Sequence, residues 1–267
     1  MDKQRINMVG GGFQHEICSS AGSVPQNIEW VKGHHDAPIS IHIDNGITHL
    51  PINKNKKNYA WLSESKTIIG GIYAWCINNL DYLNNNFEMI FTHDKSLLEL
   101  SDKFKLVICN ARPWVTNCGI HPKTKMVSMV ASNKIMCEEH RYRQQIIHRY
   151  KNEIDLFGRG FNPIATKNLG IQDYRFSISM ENGNYPLMYT EKITDCFALG
   201  TIPVYWGCKE IGEIFDTNGI IMLTNDFTVN ELSVELYHSK LESIKKNYEI
   251  TMNLPTVEDY IYITYIK

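Results

Sequence analysis

Thr190-Glu191-Lys192 sets a helix cap, a carboxylate and an ammonium group side by side. Threonine is a favoured N-cap, and Ile193, Phe197 and Ala198 follow at helical spacing, so the trio predicts a helix start. A helix N-terminus carries unpaired N–H groups and partial positive charge. Lysine in the first turn opposes that field unless an anion joins it. Arg143, on a predicted helix after another strand, adds a second cation. Together these groups describe an anion site, most naturally for a diphosphate. Glu191 can accept hydrogen bonds from two vicinal hydroxyls, as on a ribose, and Asn182 can donate and accept. That is equipment for a nucleoside diphosphate carrying a sugar. The same residues also read as a surface Glu–Lys pair capping an ordinary helix.

Glu64 is the other carboxylate of interest. It lies in Ser63-Glu64-Ser65-Lys66, just past the strand Tyr59–Leu62. Loops at strand ends are where α/β enzymes place reacting groups. Glu64 also reads as a charge favoured by the start of the helix that follows. Arg141 and Arg143 cannot share a helix face, because positions two apart diverge. Gly10-Gly11-Gly12, after a first strand, reads as a tight turn rather than a phosphate cradle, lacking the fingerprint spacing. His15 reads as structural. His34-His35-Asp36 invites a metal reading, but adjacent histidines point apart and no second ligand cluster is near, so a solvated loop is expected.

The elements that must position these groups alternate. Strands are predicted at Arg5–Val9, Ile39–Ile43, Tyr59–Leu62, Phe87–Phe91, Lys105–Cys109, Met126–Val130, Ile154–Phe157, Phe176–Met180, Ile202–Trp206 and Gly219–Leu223. Helices are predicted from Lys66 to about Leu83, then at His93–Ser101, Glu138–Tyr150, Thr190–Gly200, Val229–Ile250 and Pro255–Ile266. Such alternation argues for an α/β protein with parallel sheets covered on both faces. Asn110–Thr124, with two prolines and a glycine but no periodicity, reads as a linker. It suggests two halves, 1–124 and 125–267. No internal repeat or low-complexity tract is visible.

The totals exclude several classes. The chain has 267 residues, 43% hydrophobic and 21% charged, as expected of a folded globular protein. A net charge of −2 gives no case for coating nucleic acid. No apolar run approaches the roughly 20 residues that span a bilayer, and the N-terminus lacks a signal-peptide core. Seven scattered cysteines without a Cys-x-x-Cys pair read as reduced thiols, so the expected compartment is the cytoplasm.

Residues 125–210 resemble the C-terminal half of the alpha-1,3-fucosyltransferase family, glycosyltransferase family 10. The resemblance runs through KMVSMVASNK, HRYR, IDLFGRG, YRFSISMEN and YTEKITDCFALGTIPVYWG. YAWLSES with FEMIFTHDKSLLEL resembles the N-terminal half more weakly. The short chain is similar to bacterial or viral members; a virus-encoded one would act in the host cytoplasm. The resemblance implies a GT-B fold, two Rossmann-like domains with parallel sheets facing a central cleft: an acceptor domain at 1–124 and a GDP-sugar domain at 125–267. It implies inverting transfer of L-fucose from GDP-fucose to a glycan hydroxyl, without cofactor or metal; no Asp-x-Asp occurs in the chain. Donor-binding positions then fall on Arg143, with Arg141 as the fallback, and on Asn182, Glu191 for ribose and Lys192 for phosphate. Glu64 becomes the candidate base. Two positions depart from the family. Met188 stands where a tyrosine is usual, leaving Tyr189 or Tyr185 to supply a hydroxyl, and Lys66 replaces a proline after Glu-Ser. Another GDP-sugar donor, or a non-catalytic nucleotide-sugar or glycan-binding protein, remain the alternatives.

Overall fold

Period-two alternation of apolar residues builds two sheets, seen in a computed structural model that describes residues 2–11, 13, 17–33, 36–108 and 111–267. Gly12, His15, His34 and His35, on which the glycine-turn and metal readings partly rest, lie outside the described residues. The strands are β1 (Gln4–Val9), β2 (Ile28–Lys32), β3 (Ile39–Ile43), β4 (Lys57–Trp61), β5 (Ile90–Thr92), β6 (Phe104–Leu106), β7 (Lys125–Val130), β8 (Asp155–Phe157), β9 (Tyr174–Met180), β10 (Ile202–Trp206) and β11 (Ile221–Met222). The helices are α1 (Lys66–Asn78), α2 (Leu80–Asn86), α3 (Lys95–Leu98), α4 (Glu138–Tyr150), α5 (Asn168–Ile171), α6 (Glu191–Ala198), α7 (Val234–Ser239), α8 (Leu241–Asn253) and α9 (Val257–Ile261). Among the described residues no helix is long and apolar enough to cross a membrane.

One sheet has the order β2-β1-β3-β4-β5-β6 and the other β11-β10-β9-β7-β8. Every pairing in both is parallel, as the alternating elements predict. Numbering each sheet from its own first strand gives the same progression, 2-1-3-4-5, to which the first sheet adds a sixth strand. Strand order reverses between β1 and β3 in one and between β7 and β9 in the other. The carboxyl ends of strands at such a switch point form the natural ligand crevice of an open parallel sheet.

The chain forms two compact units: Met1–Asn110 with Tyr185–Met188 and Pro255–Lys267, and Ala111–Asn184 with Tyr189–Leu254. This differs from a single cut after residue 124. The 111–124 segment is tied into the second unit, where the Trp114 and Val115 N–H groups donate to Asp195 Oδ1 at 2.6 and 3.2 Å and Gly119 N donates to Ala198 O at 2.8 Å. The last residues rejoin the first unit because Val257 and Ile261 complete the apolar cluster of Ile6, Ile28, Ile41, Tyr59 and Trp61. The other face of that sheet, carrying Ala60, Leu62 and Ile90, packs on Tyr73, Cys76 and Leu83 of α1 and α2.

In the second unit the alternation Phe176-Ser177-Ile178-Ser179-Met180 sorts the two faces. Phe176, Ile178 and Met180 pack with Ile146, Ile147 and Tyr150 of α4. Ser177 and Ser179 face the other way and line a cavity of about 40 Å³ with Lys167, Lys192 and Asp195. Small residues there let a charged helix start lie against the sheet.

Two expected helices need correction, and one strand is additional. The helix expected from Lys66 to Leu83 breaks at Asn79, whose backbone is non-helical (φ −129°, ψ 37°). The helix expected over Val229–Ile250 is a 3-10 turn followed by α7 and α8, parted at Lys240. Strand β2, an edge strand without clean alternation, is additional.

Candidate functional site

The site builds from the carboxyl end of β9. Its next residue, Glu181, is buried and accepts from Thr190 N at 2.8 Å, Thr190 Oγ1 at 2.6 Å, Lys192 Nζ at 3.2 Å and Tyr205 Oη at 3.5 Å. This one carboxylate fixes the approach to α6. Thr190 is the N-cap, as its type predicts, and also takes a 2.9 Å bond from Lys192 Nζ. Gly207, at the end of β10, leaves room for the arrangement: a Cβ there would lie 2.5 Å from Glu181 Cγ and from Tyr205 Oη.

Glu191 and Lys192 sit half-buried on the first turn of α6. Glu191 Oε1 is held by Lys167 Nζ at 3.0 Å, with Lys192 Nζ at 4.0 Å. Burial alone would raise its carboxyl; Lys192 and Lys167 outweigh burial and draw it down to about 2. Glu191 is therefore ionised at neutral pH and able to accept from hydroxyls.

The helix α4 brings a further cation to the loop that follows β7. Arg143 is buried, with Nη2 3.4 Å from the Ser132 and Lys134 carbonyls and Nε bonded to no protein group. Those carbonyls belong to the loop after β7, on one side of the switch point. Arg141, two residues away, is exposed and pairs with Glu138 at 3.3 Å. The structure brings Arg143 to the switch point and leaves Arg141 in solvent, as helix geometry requires.

Asn182 stands on the other side of the switch point, after β9. Its Oδ1 lies 3.1 Å from His140 Nε2 on α4. Because Met136 N–H donates to His140 Nδ1 at 3.1 Å, the ring proton is assigned to Nε2, which donates to Asn182. Burial, followed by Arg143 and Lys192, lowers the His140 value and keeps the ring neutral. His140 thus stands in the field of both cations.

Glu64 is placed where its sequence position predicts, in the loop between β4 and α1 of the first unit. Asp44, in the left-handed region (φ 47°), accepts from Glu64 N at 3.2 Å and from Ser63 N and Oγ at 2.8 Å. Tyr73 Oη donates to the Glu64 carbonyl at 3.0 Å. The Glu64 backbone is pinned from both sides. Of the residues offered to replace the usual tyrosine, Tyr189 is buried with its ring edge-on to Phe215. Tyr185 meets the Thr67 hydroxyl in the first unit, and Met188 is buried.

Sequence reading missed Glu181, Lys167 and His140. Glu181 passes for a loop residue and Lys167 for a surface lysine. Only their burial and partners reveal them. Among the described residues no three His, Cys, Asp or Glu side chains gather as metal ligands would.

Residues 120–250 match the family described as glycosyltransferase family 10 (fucosyltransferase) C-term. Among curated relatives, alpha-(1,3)-fucosyltransferase B of Drosophila melanogaster is 35% identical over 78 residues, 29% of this chain and 17% of that protein. Alpha-(1,3)-fucosyltransferase FucT of Helicobacter pylori is 27% identical over 107 residues, 39% of this chain and 22% of that protein. The matches thus span about a fifth of the length of these relatives. A crystal structure of alpha1,3-fucosyltransferase with GDP aligns with TM-score 0.54 at 14% identity, covering 96% of this chain and 92% of that one. Another, with GDP-fucose, aligns with TM-score 0.50 at 14% identity, covering 95% and 82%. The chain has the GT-B fold, and its residues 120–250 are similar to the C-terminal domain of glycosyltransferase family 10 (fucosyltransferase).

Proposed function

We propose that the chain is an inverting glycosyltransferase that moves L-fucose from GDP-fucose to a hydroxyl of a glycan. The observation that carries this reading is the charged first turn of α6, standing beside a switch point that also receives Arg143 and Asn182. Its support from relatives is the family match over 120–250 and the likeness to fucosyltransferase structures holding GDP and GDP-fucose.

In this reading Glu191 accepts from the ribose hydroxyls, Arg143 and Lys192 meet the diphosphate, and the Asn182 amide donates to the donor sugar nucleotide. Glu64 is the proposed base. It removes the proton of the acceptor hydroxyl as that oxygen attacks the anomeric carbon from the side opposite the diphosphate. The transition state is oxocarbenium-like, and negative charge grows on the departing GDP. Arg143, Lys192 and the helix N-terminus stabilise that charge in place, so fixed cations take the part a metal plays in other transferases. Lys192 is bonded to Glu181 and Thr190. It is preorganised by them rather than free to wander.

The test is release of GDP from GDP-fucose by purified protein across a glycan acceptor array. Arg143→Ala and Glu191→Ala should each lower kcat/KM by at least about 100-fold, removing a charge-assisted contact to the departing or anchoring group. Wild-type turnover in both variants would overturn the site assignment. A panel of GDP-hexoses distinguishes fucose from another donor, and GDP binding without turnover on any acceptor would mark a non-catalytic binding protein.

A further inference from the structure

Lys167 lies outside every motif of the sequence, yet its ammonium group is held by two carboxylates and an aromatic ring. Its Nζ bonds Glu191 Oε1 at 3.0 Å and Asp195 Oδ2 at 2.8 Å, and stands 4.7 Å from the centre of the Trp114 ring. Asp195 is 1% exposed and divides its oxygens: Oδ2 takes Lys167, and Oδ1 takes the N–H groups of Trp114 and Val115. Asp195 is therefore an anchor fixed to the backbone, and Lys167 a bridge from that anchor to Glu191. Glu191 cannot rotate away from its position on α6 without breaking the bridge.

We propose that Lys167 is a positioning residue for donor binding, holding the Glu191 carboxylate turned toward the ribose diol of the sugar nucleotide. The proposal rests on the donor-site reading of Glu191 given above. The charged groups facing Glu191 are Lys167 ahead of α5, Lys192 beside it, and Asp195 one turn further along α6; Glu181 at the end of β9 is bound to Lys192. Each lysine serves a second carboxylate, Lys192 that of Glu181 and Lys167 that of Asp195, and Lys167 is the closer cation to Glu191. With Lys167 removed, burial is opposed only by Lys192 and a backbone N–H at the helix start, and the neighbouring Asp195 charge loses its cation. Both changes raise the Glu191 carboxyl. A proton then occupies Glu191 as pH falls, and a protonated carboxyl has lost acceptor capacity for the diol.

The experiment is calorimetric binding of GDP-fucose and of 2′,3′-dideoxy-GDP to the full chain between pH 5 and pH 8. The proteins are the wild type, Lys167→Arg, Lys167→Met and Lys167→Met/Asp195→Asn. Lys167→Met should weaken GDP-fucose binding roughly tenfold at pH 8, the scale of one hydrogen bond between charged groups, and further toward pH 5, where the wild type stays flat. Lys167→Arg should restore most of the affinity. Dideoxy-GDP, lacking the diol, should bind wild type and Lys167→Met alike. The double variant removes the buried uncompensated Asp195 charge, so it keeps the test valid should Lys167→Met fold poorly; it should retain the weakened GDP-fucose binding. Equal loss for both nucleotides would overturn the proposal in favour of a direct phosphate contact by Lys167. Recovery of GDP-fucose affinity in the double variant would overturn it in favour of simple relief of buried charge. Glu191→Gln separates the two readings. If Glu191→Gln binds GDP-fucose as the wild type does, the donor-site reading fails and takes this inference with it. If Glu191→Gln loses binding while Lys167→Met keeps wild-type affinity at all pH values, the positioning role alone fails.

Discussion

Arg143 shelters a guanidinium from water, gives it two long contacts to carbonyls, and leaves Nε without a protein partner. A buried cation so thinly paired is a cost to the unliganded fold, and an anion reaching it would recover that cost. GDP at about 100 times its Kd should stabilise the protein by about 2.7 kcal/mol, read as a rise in melting temperature. In Arg143→Ala that rise should shrink severalfold while unliganded stability is unchanged or higher. Arg141→Ala, removing only an exposed pair with Glu138, should behave as wild type. A full GDP-induced rise in Arg143→Ala would remove Arg143 from the site. The divergence of Arg141 and Arg143 was legible in the sequence, because helix geometry alone forbids them one face. The roles of Glu181 and Lys167 were not. Each depends on a partner brought close by the fold, such as Glu191, 24 residues beyond Lys167, and no local pattern encodes that.

At the scale of elements, α6 and the two strands beside it read well because their signals are local. Thr190 caps, Gly200 adopts φ 70° and ends the helix, and the serines of β9 alternate. The breaks at Asn79 and Lys240 did not read, because apolar spacing runs on across both and neither is marked by glycine or proline. The packing of α6 rests on Gly207. A methyl group at this position meets Glu181 Cγ and Tyr205 Oη at 2.5 Å, closer than contact distance, and Glu181 is the acceptor that holds Thr190 and Lys192. Gly207→Ala should cost about 1–3 kcal/mol by overpacking, measured by urea unfolding. GDP binding should weaken in the same variant, because a displaced Glu181 no longer sets Lys192. Unchanged stability together with unchanged GDP affinity would show that α6 is not seated through this contact.

Across the whole molecule one strand progression appears twice, although the sequence shows no repeat. The likeness lies in topology: the order in which parallel strands are laid down is set by apolar alternation and crossover helices, and many sequences satisfy it. The chain then closes the first sheet with its last residues, a long-range return that local pattern cannot announce. Asp259 is the clasp. Its carboxylate accepts from Gln26 N at 2.8 Å, Asn27 N at 2.7 Å, Asn27 Nδ2 at 3.0 Å and Thr256 Oγ1 at 2.8 Å. Burial would raise this carboxyl, but those bonds together hold it below the usual aspartate value. A lowered folded value means stability that is present above the ordinary value near 4 and lost as pH falls through the folded one. Asp259→Ala should therefore cost about 2–3 kcal/mol at pH 7, the worth of hydrogen bonds to a buried charge, with the difference from wild type shrinking below about pH 4. Hydrogen exchange locates the effect: amides of Gln26 to Lys32 and of α9 should lose protection together, while those of β7, β9 and β10 in the second unit keep theirs. Equal loss in both units would mean that the C-terminal segment stabilises the chain as one cooperative body rather than completing the first sheet.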